Sequence, residues 1–307
     1  MKAEGGTMER IEYRGWKNCW RISDGVVDLV VTTDVGPRII RFGFIGGDNM
    51  FHESPGEAGK TGGRQWMAYG GHRLWHAPES NPRTYALDNF PVSAEKKGSW
   101  LVVESPREES TGIRKEMHVR LTAAPSGEGR AEILHFLFNE NLWAVKLAPW
   151  ALTVMASGGT TVIPLPPRGT HAENLLPTGQ LATWAYTDMG DPRWSWLAKH
   201  IILRQDPAAK GPQKIGVKCP AGWLAHAVNG NLFVKKAEFR QDAVYPDLGS
   251  NVECFTNSEM TELETLGPLT SIEPKGSVLH REEWALVKGV KPPSSDAEIE
   301  KLILPRI

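Results

Sequence analysis

Two carboxylates stand two residues apart in the segment Met260–Leu269. If this segment is a strand, Glu262 and Glu264 project from one face, while Leu263 and Thr265 project from the other. A carboxylate at the rim of a cleft can act as a general base, and a like-charged neighbour raises its pKa toward neutrality. The same pattern is also typical of two solvated carboxylates on an open sheet face, and the sequence leaves both interpretations open.

A second segment, rich in polar and aromatic residues, contains two histidines four residues apart, His72 and His76. Pro78 disfavours the helix that would bring both rings to one metal ion. A strand instead places the two histidines on one face and Arg73 and Trp75 on the other. Since the segment offers no third ligand, the sequence predicts no metal and no other cofactor. Ordinary sheet histidines and a polar ligand pocket both remain open.

Two further segments could contribute to a binding site. The turn-rich stretch Trp184–Trp194 has the composition of a loop that caps a ligand, with Tyr186 and Arg193 as the candidate contacts, although a well-packed ordinary loop fits equally. Lys235 and Glu253 could lie near the same cleft, but no spacing fixes their geometry.

Composition excludes several classes of function. The net charge of -1 over 307 residues gives no basic footprint for a nucleic acid. No stretch approaches the about 18 consecutive apolar residues of a membrane span. Three cysteines far apart argue against a disulfide framework or a structural zinc site and favour a cytoplasmic setting. Motifs for dinucleotides, P-loop chemistry, serine hydrolysis and zincin proteolysis are absent from the sequence.

The elements that must position these residues are predominantly strands. Short β-branched or alternating segments bounded by Gly, Pro, Ser or Asn recur along the chain, among them Val26–Thr32, Arg38–Phe44, Ile113–Thr122, Ala131–Asn139 and Val252–Thr256. The sequence therefore predicts an all-β, antiparallel sandwich with little helix. We expect residues 1–15 to be a leader or disordered, residues 16–290 to form one domain, and residues 291–307 to form a helical tail. Ser295 and Glu298 predict the start of that helix.

Three stretches resemble the galactose mutarotase-like superfamily, the aldose 1-epimerase supersandwich, and most closely a bacterial branch whose function is unassigned. They are Gly36-Pro37-Arg38-Ile39-Ile40-Arg41-Phe42, Gly70-Gly71-His72-Arg73-Leu74-Trp75-His76-Ala77-Pro78, and Glu264-Thr265-Leu266 followed by Ile272-Glu273-Pro274-Lys275-Gly276-Ser277. The resemblance implies an antiparallel β-supersandwich and a small-molecule sugar or oligosaccharide as partner. The 12 tryptophans agree with it, since indole faces fill large cores and stack on sugar rings.

The resemblance also implies roles for individual residues. In that family a glutamate removes the C1 hydroxyl proton, and Glu264 matches it. The family's histidine, which protonates the ring oxygen, falls in stretches of this chain without a histidine. His72 is then the predicted acid, with Arg73, Trp75, His76, Tyr85, Tyr186 and Arg193 as substrate contacts. An epimerase-type isomerase is one hypothesis; a non-catalytic carbohydrate-binding protein is the second, and a lyase or hydrolase of the same fold is the third.

Overall fold

The computed structural model describes residues 6–307, and its strands form two β-sheets. The larger sheet contains eleven strands: β1 (Thr7–Tyr13), β2 (Trp16–Ser23), β3 (Val27–Thr32), β4 (Arg38–Phe44), β5 (Gly71–Ala77), β10 (Val145–Met155), β12 (Leu181–Thr183), β15 (Gln213–Val217), β18 (Val252–Thr256), β19 (Thr261–Leu266) and β20 (Thr270–Ile272). The main path runs β1-β2-β3-β4-β5-β10-β19-β18-β15-β12, and β20 pairs with β10. Strands distant in sequence therefore lie side by side at its centre.

The smaller sheet contains ten strands: β6 (Ser93–Lys97), β7 (Trp100–Glu104), β8 (Ile113–Leu121), β9 (Gly129–Asn139), β11 (Thr160–Pro164), β13 (Trp194–Trp196), β14 (His200–Arg204), β16 (Trp223–Val228), β17 (Asn231–Ala237) and β21 (Ser277–Lys288). Its order is β13-β14-β11-β16-β17-β21-β9-β8-β7-β6. Every strand pairing among the described residues is antiparallel. The prediction of an all-β antiparallel sandwich is confirmed.

Local sequence explains these strands. In β8 burial alternates strictly: Ile113, Lys115, Met117, Val119 and Leu121 are buried, and the residue after each of the first four is partly exposed. This is the period of two that a strand with one wet face requires. The β16–β17 hairpin turns at Asn229-Gly230, whose φ angles of 52° and 71° are those of a type I′ turn.

The two sheets pack face to face over one hydrophobic core to which both contribute. At its centre four aromatic rings pack edge to face or tilted, with centroids 5.4–6.4 Å apart: Phe42, Phe51, Phe233 and Trp284. Such contacts are the preferred geometry of aromatic pairs. We call the side of the larger sheet that faces away from this core its outer face.

Between residues 6 and 307, helix is limited to a single turn at Pro246–Gly249 (α1), the helix Asp296–Leu302 (α2) and a 3-10 turn at Leu304–Arg306. The predicted start of α2 is observed, since Ser295 Oγ accepts a hydrogen bond from Glu298 N at 3.3 Å. Ile299 and Ile303 pack against the smaller sheet. Among the described residues, no helix has the length and apolar character needed to cross a membrane.

The N-terminal segment differs from the expectation of a leader or disordered stretch. Thr7–Tyr13 forms β1 and pairs with β2. Its three charged residues, Glu9, Arg10 and Glu12, are all exposed, and its sequence lacks the apolar alternation that identifies a strand. Residues 1–5, which the same prediction covers, lie outside the described residues.

A buried ion pair lies between the sheets. Lys235 Nζ is 3.0 Å from Glu282 Oε1, and both side chains have no exposed surface. Lys235 also donates hydrogen bonds to the carbonyl oxygens of Ala151 and Leu263, at 2.8 and 3.1 Å. Glu282 Oε2 accepts from Trp284 Nε1 at 2.9 Å. The pair therefore connects β17 and β21 of the smaller sheet to β10 and β19 of the larger one.

We predict that Glu282→Gln lowers the free energy of unfolding by about 3–5 kcal/mol, because it leaves the Lys235 ammonium buried without its counter-ion. Chemical denaturation measures the change. Glu283→Gln is the matched control on the same strand, since the Arg281–Glu283 pair is half exposed and contributes about 0–1 kcal/mol. Equal losses in the two variants would contradict this account of the ion pair.

Candidate active site

Strand register brings four side-chain positions into one row on the outer face of the larger sheet. Arg73 in β5 pairs with Leu152 in β10, Leu152 pairs with Glu264 in β19, and Glu264 pairs with Glu253 in β18. Cross-strand partners project from the same face with Cβ atoms about 4.5–5.5 Å apart. Lys214 projects from the next strand, β15. Residues from five strands thus form one cluster.

Lys214 lies between two glutamates of this cluster. Its Nζ is 2.8 Å from Glu264 Oε2 and 2.8 Å from Glu253 Oε2. Glu264 is 0% exposed, Glu253 1% and Lys214 5%. Glu264 Oε2 also accepts a hydrogen bond from Trp150 Nε1 at 2.8 Å, whereas its Oε1 has no hydrogen-bond partner among the described residues. One oxygen of Glu264 is therefore fixed and the other is free.

A second ion pair lies beside the first. Arg73 Nη2 donates to Glu262 Oε1 at 3.0 Å, and both side chains are buried. The Arg73 guanidinium lies over the rings of Trp75 and Trp66, 4.5 and 5.6 Å from their centroids. Its Nε and Nη1 have no partner in the part of the chain that the structure describes. Arg73 therefore retains donors for a polar ligand.

Aromatic side chains cover the cluster on the solvent side. Lys214 Nζ lies 4.7 Å from the ring centroids of both Trp150 and Trp184. Tyr85 packs against Trp66 and Trp75, with centroids 5.6 and 5.1 Å apart. Tyr186 is 42% exposed, and burial raises its pKa to about 12. Aromatic rings thus pack directly against the buried charged groups of the cluster.

The charges of the cluster do not balance if every group is ionised. Three carboxylates, Glu253, Glu262 and Glu264, face the two cations Lys214 and Arg73. Burial, with the charge of Glu264 adding to it, raises the pKa of Glu253 well above its ordinary value, although Lys214 opposes this. Burial also raises the pKa of Glu262 against the pull of Arg73.

The pKa of Lys214 is also raised, which favours its ionised form. Burial alone would lower its pKa, but the two carboxylates outweigh burial and raise it well above the ordinary value. Glu253 shares this one ammonium with Glu264, whereas Glu262 has Arg73 to itself. The proton that balances the cluster is therefore best placed on Glu253.

His72, the predicted acid, lies on the opposite face of the larger sheet. His72 pairs with Thr153 in β10, whereas Glu264 lies in the row of the preceding residue, Leu152. Because successive residues of a strand project from opposite faces, His72 faces the smaller sheet. Its Nε2 lies 2.7 Å from His135 Nε2, and its Nδ1 lies 2.8 Å from Thr153 Oγ1. The structure therefore does not bring His72 and Glu264 into one groove, and this part of the prediction is corrected.

The two histidine rings form a neutral hydrogen-bonded pair. Burial lowers the pKa of His72 well below its ordinary value and that of His135 to about 4. His135 Nδ1 faces the His280 carbonyl at 3.0 Å, so it carries the hydrogen and its Nε2 accepts from His72. This assigns both tautomers by hydrogen bonding.

His72, His135 and Glu282 present ligand atoms within 4.8 Å of one another, as a metal site would. Two nitrogens on a tetrahedral zinc ion stand about 3.3 Å apart, given the usual Zn–N distance. The 2.7 Å contact between the rings is shorter, and Lys235 already neutralises Glu282. The group fits a hydrogen-bonded network better than a set of metal ligands.

Three other predicted residues also lie outside the cluster. His76 faces the same way as His72; its Nε2 is 3.3 Å from Glu108 Oε2, and its Nδ1 accepts from Arg83 at 3.0 Å. Arg193 binds Asp191 through two hydrogen bonds of 2.9 and 2.8 Å and so holds the loop that carries Tyr186. Lys235 lies between the sheets rather than near Glu253.

No family model and no curated protein matches this chain. Solved structures do. A candidate aldose 1-epimerase from Klebsiella pneumoniae has a TM-score of 0.63 at 10% identity, with 98% of this chain and 87% of that chain covered. A galactose mutarotase-like protein from Lactobacillus casei has a TM-score of 0.53 at 7% identity, covering 91% and 100%. The chain has the galactose mutarotase-like fold.

The same comparison finds larger proteins. A TPR-domain protein from Parabacteroides distasonis matches with a TM-score of 0.57 at 11% identity, over 91% of this chain and 49% of that chain. This chain thus spans about half the length of that protein. At such identities the likeness shows the galactose mutarotase-like fold and carries no residue roles.

Within this galactose mutarotase-like fold, sequence reasoning missed Lys214, Trp150 and Trp184 as members of the site. One signal was present: Lys214 is a lone cation in the short strand Gln213–Val217, whose five residues are all buried. A buried lysine requires a counter-charge. The sequence did not show which of the chain's carboxylates would supply it.

We predict that Lys214→Met destabilises the protein more at pH 8 than at pH 5. Lys214 opposes the rise that burial gives to the pKa of Glu253, so without the ammonium this carboxyl group holds its proton more tightly in the folded chain than in the unfolded one. A group whose pKa is raised by folding contributes stability at low pH that is lost as the pH rises. We expect a loss of about 3–5 kcal/mol at pH 8 and a smaller one at pH 5, measured by urea denaturation.

Lys199→Met is the control for this variant, since Lys199 is an exposed lysine paired with an exposed glutamate, Glu300. We expect it to change stability by about 0–1 kcal/mol at both pH values. A Lys214→Met loss that does not depend on pH would show that the lysine does not balance buried carboxylates.

Proposed function

We propose that this protein is a carbohydrate-active isomerase of the aldose 1-epimerase type and that Glu264 is its general base. One observation carries the proposal: Glu264 is held by Lys214 and Trp150 through Oε2, while its buried Oε1 has no partner among the described residues. A base must be fixed in position and must keep a free lone pair for the proton it accepts. Glu264 satisfies both conditions.

The surroundings of Glu264 suit a sugar. Aromatic rings provide faces for the apolar side of a pyranose, and Arg73 provides unpaired donors for its hydroxyl groups. Because Glu264 is fully buried, the substrate must displace the side chains over it. Tyr186 is the exposed member of that cover, and it belongs to the loop that Arg193 and Asp191 anchor.

The chemistry requires only proton transfers. Glu264 takes the proton of the C1 hydroxyl, the bond between C1 and the ring oxygen breaks, and C1 becomes an aldehyde. Rotation about the C1–C2 bond presents the other face of the aldehyde, and reclosure returns the proton from Glu264 to the oxygen on C1. The ring oxygen must gain a proton while the ring is open, so a general acid is needed on the same side of the sheet.

A specific observation favours a second candidate function, carbohydrate binding without catalysis. Glu264 has no exposed surface, and its contacts with Lys214 and Trp150 resemble those of a structural ion pair. On this alternative the aromatic rings hold a sugar while the buried charges only support the face beneath it. Catalysis of anomer exchange separates the two.

We expect the wild-type protein to accelerate exchange between the α and β anomers of at least one sugar in a panel of aldoses, measured by NMR exchange spectroscopy. Glu264→Gln keeps the size and the hydrogen bonds of the side chain but accepts no proton. It should lower kcat by about 10²–10⁴-fold. Circular dichroism should show an unchanged fold.

The control is Glu132→Gln. Glu132 is also a buried carboxylate, but it pairs with Arg120 and Arg281 on the smaller sheet. The kcat of the Glu132→Gln variant should equal that of the wild type. If the wild type binds an aldose without accelerating exchange, the protein is a binding protein; if it neither binds nor converts an aldose, the proposal fails altogether.

A further inference from the structure

We infer that Glu253 is the catalytic acid, which donates its carboxyl proton to the ring oxygen of the sugar while Glu264 acts as base. This inference rests on the proposed isomerase function and adds the general acid to it. His72 cannot be that acid, because it lies on the opposite face of the larger sheet from Glu264. The site would then use two glutamates on neighbouring strands.

The geometry places the two carboxyl groups together. Glu253 in β18 is the direct cross-strand partner of Glu264 in β19. Both Oε2 atoms lie 2.8 Å from Lys214 Nζ. Like Glu264, Glu253 is buried; apart from the ion-pair contact of its Oε2 with Lys214, neither of its oxygens has a hydrogen-bond partner among the described residues. The anomeric hydroxyl and the ring oxygen are both bonded to C1, so an acid and a base on neighbouring strands can reach both oxygens.

The balance of charge identifies which glutamate carries the proton. One ammonium serves two carboxyl groups, and two carboxylates this close in a buried site do not both remain ionised. Glu264 is fixed as an acceptor by two donors, Lys214 and Trp150, on the same oxygen. Burial and the charge of Glu264 raise the pKa of Glu253. The shared ammonium and the two donors on Glu264 thus assign the transferable proton to Glu253.

The other donors on this face are poorer acids. Arginine side chains do not act as acids in proteins. The two carboxylates raise the pKa of Lys214 well above its ordinary value. Burial raises the pKa of Tyr186 to about 12, and its side chain lies at the exposed rim. A carboxylic acid gives up its proton more readily than any of these groups.

The step balances without a further reactant. Glu264 accepts the proton of the C1 hydroxyl, and the electron pair of that O–H bond forms the C1=O double bond. The pair of the bond between C1 and the ring oxygen passes to the ring oxygen, which takes the proton of Glu253. After rotation about C1–C2, Glu253 recovers its proton and Glu264 returns its own.

The test compares Glu253→Gln with Glu264→Gln and with the Glu132→Gln control. Glutamine has the size of a protonated glutamate but donates no carboxyl proton. We expect kcat for anomer exchange to fall by about 10²–10⁴-fold with little change in KM. The wild-type rate should also fall at high pH as Glu253 loses its proton, and Glu253→Gln should lack this descending limb.

A second readout does not depend on activity. A protonated carboxyl group has an infrared carbonyl band distinct from the bands of a carboxylate. We expect this band in the wild type at pH 7 and in Glu132→Gln, and its loss in Glu253→Gln. If it persists unchanged in Glu253→Gln, the buried proton lies on another group, Glu262 above all, and the inference is overturned.

The outcomes for the acid, Glu253, can be separated from the outcomes for the proposed isomerase function. If the wild type and Glu253→Gln are both active while Glu264→Gln is not, Glu253 is not the acid and the proposed function stands. If the wild type accelerates no exchange, both fail. If Glu253→Gln does not fold, Glu253→Asp is the variant to test, because it retains a carboxylic acid. We expect Glu253→Asp to retain the fall in rate at high pH and the infrared band. The absence of both from a folded Glu253→Asp protein would overturn the inference.

Discussion

A single ammonium group, that of Lys214, lies between two buried carboxyl groups, and this shortage of positive charge governs the outer face of the larger sheet. Charge buried at this depth must be neutralised, because its hydration is lost. Arg73 is committed to Glu262, so the remaining deficit falls on Glu253 and Glu264. A protonated and an ionised carboxyl group side by side are the two forms that acid–base catalysis needs.

The region between the sheets satisfies the same constraint in a different way. There, one ammonium faces one carboxylate, Lys235 with Glu282, and burial keeps the neighbouring His72 and His135 neutral by lowering their pKa values. The positive and negative charges of this network are equal in number and fully buried. The network joins the two sheets and leaves no group available for proton transfer. Strand β19 borders both regions: Leu263 and Thr265 face inward, while Glu264 faces outward.

Local sequence patterns predict individual strands and the two faces of each strand. They do not predict which distant strands pair, and the site depends on that pairing. Local patterns located β4 at Arg38–Phe44 and β18 at Val252–Thr256 with their observed bounds, and they separated the two faces of β5 and β19. Register between distant strands has no local signal. It places Arg73 rather than His72 in the row of Glu264, and it brings Lys214 to the glutamates. A shift of one residue along a strand exchanges its faces.

The most direct measurement is a crystal structure of the protein with an aldose bound. The account predicts a sugar ring on the outer face of the larger sheet, packed against Trp150, Trp184 or Tyr186, with its anomeric oxygen within hydrogen-bonding distance of Glu264 Oε1. A sugar bound only elsewhere, such as in the cavity of about 500 Å³ that His76 and Trp143 line, would contradict the account.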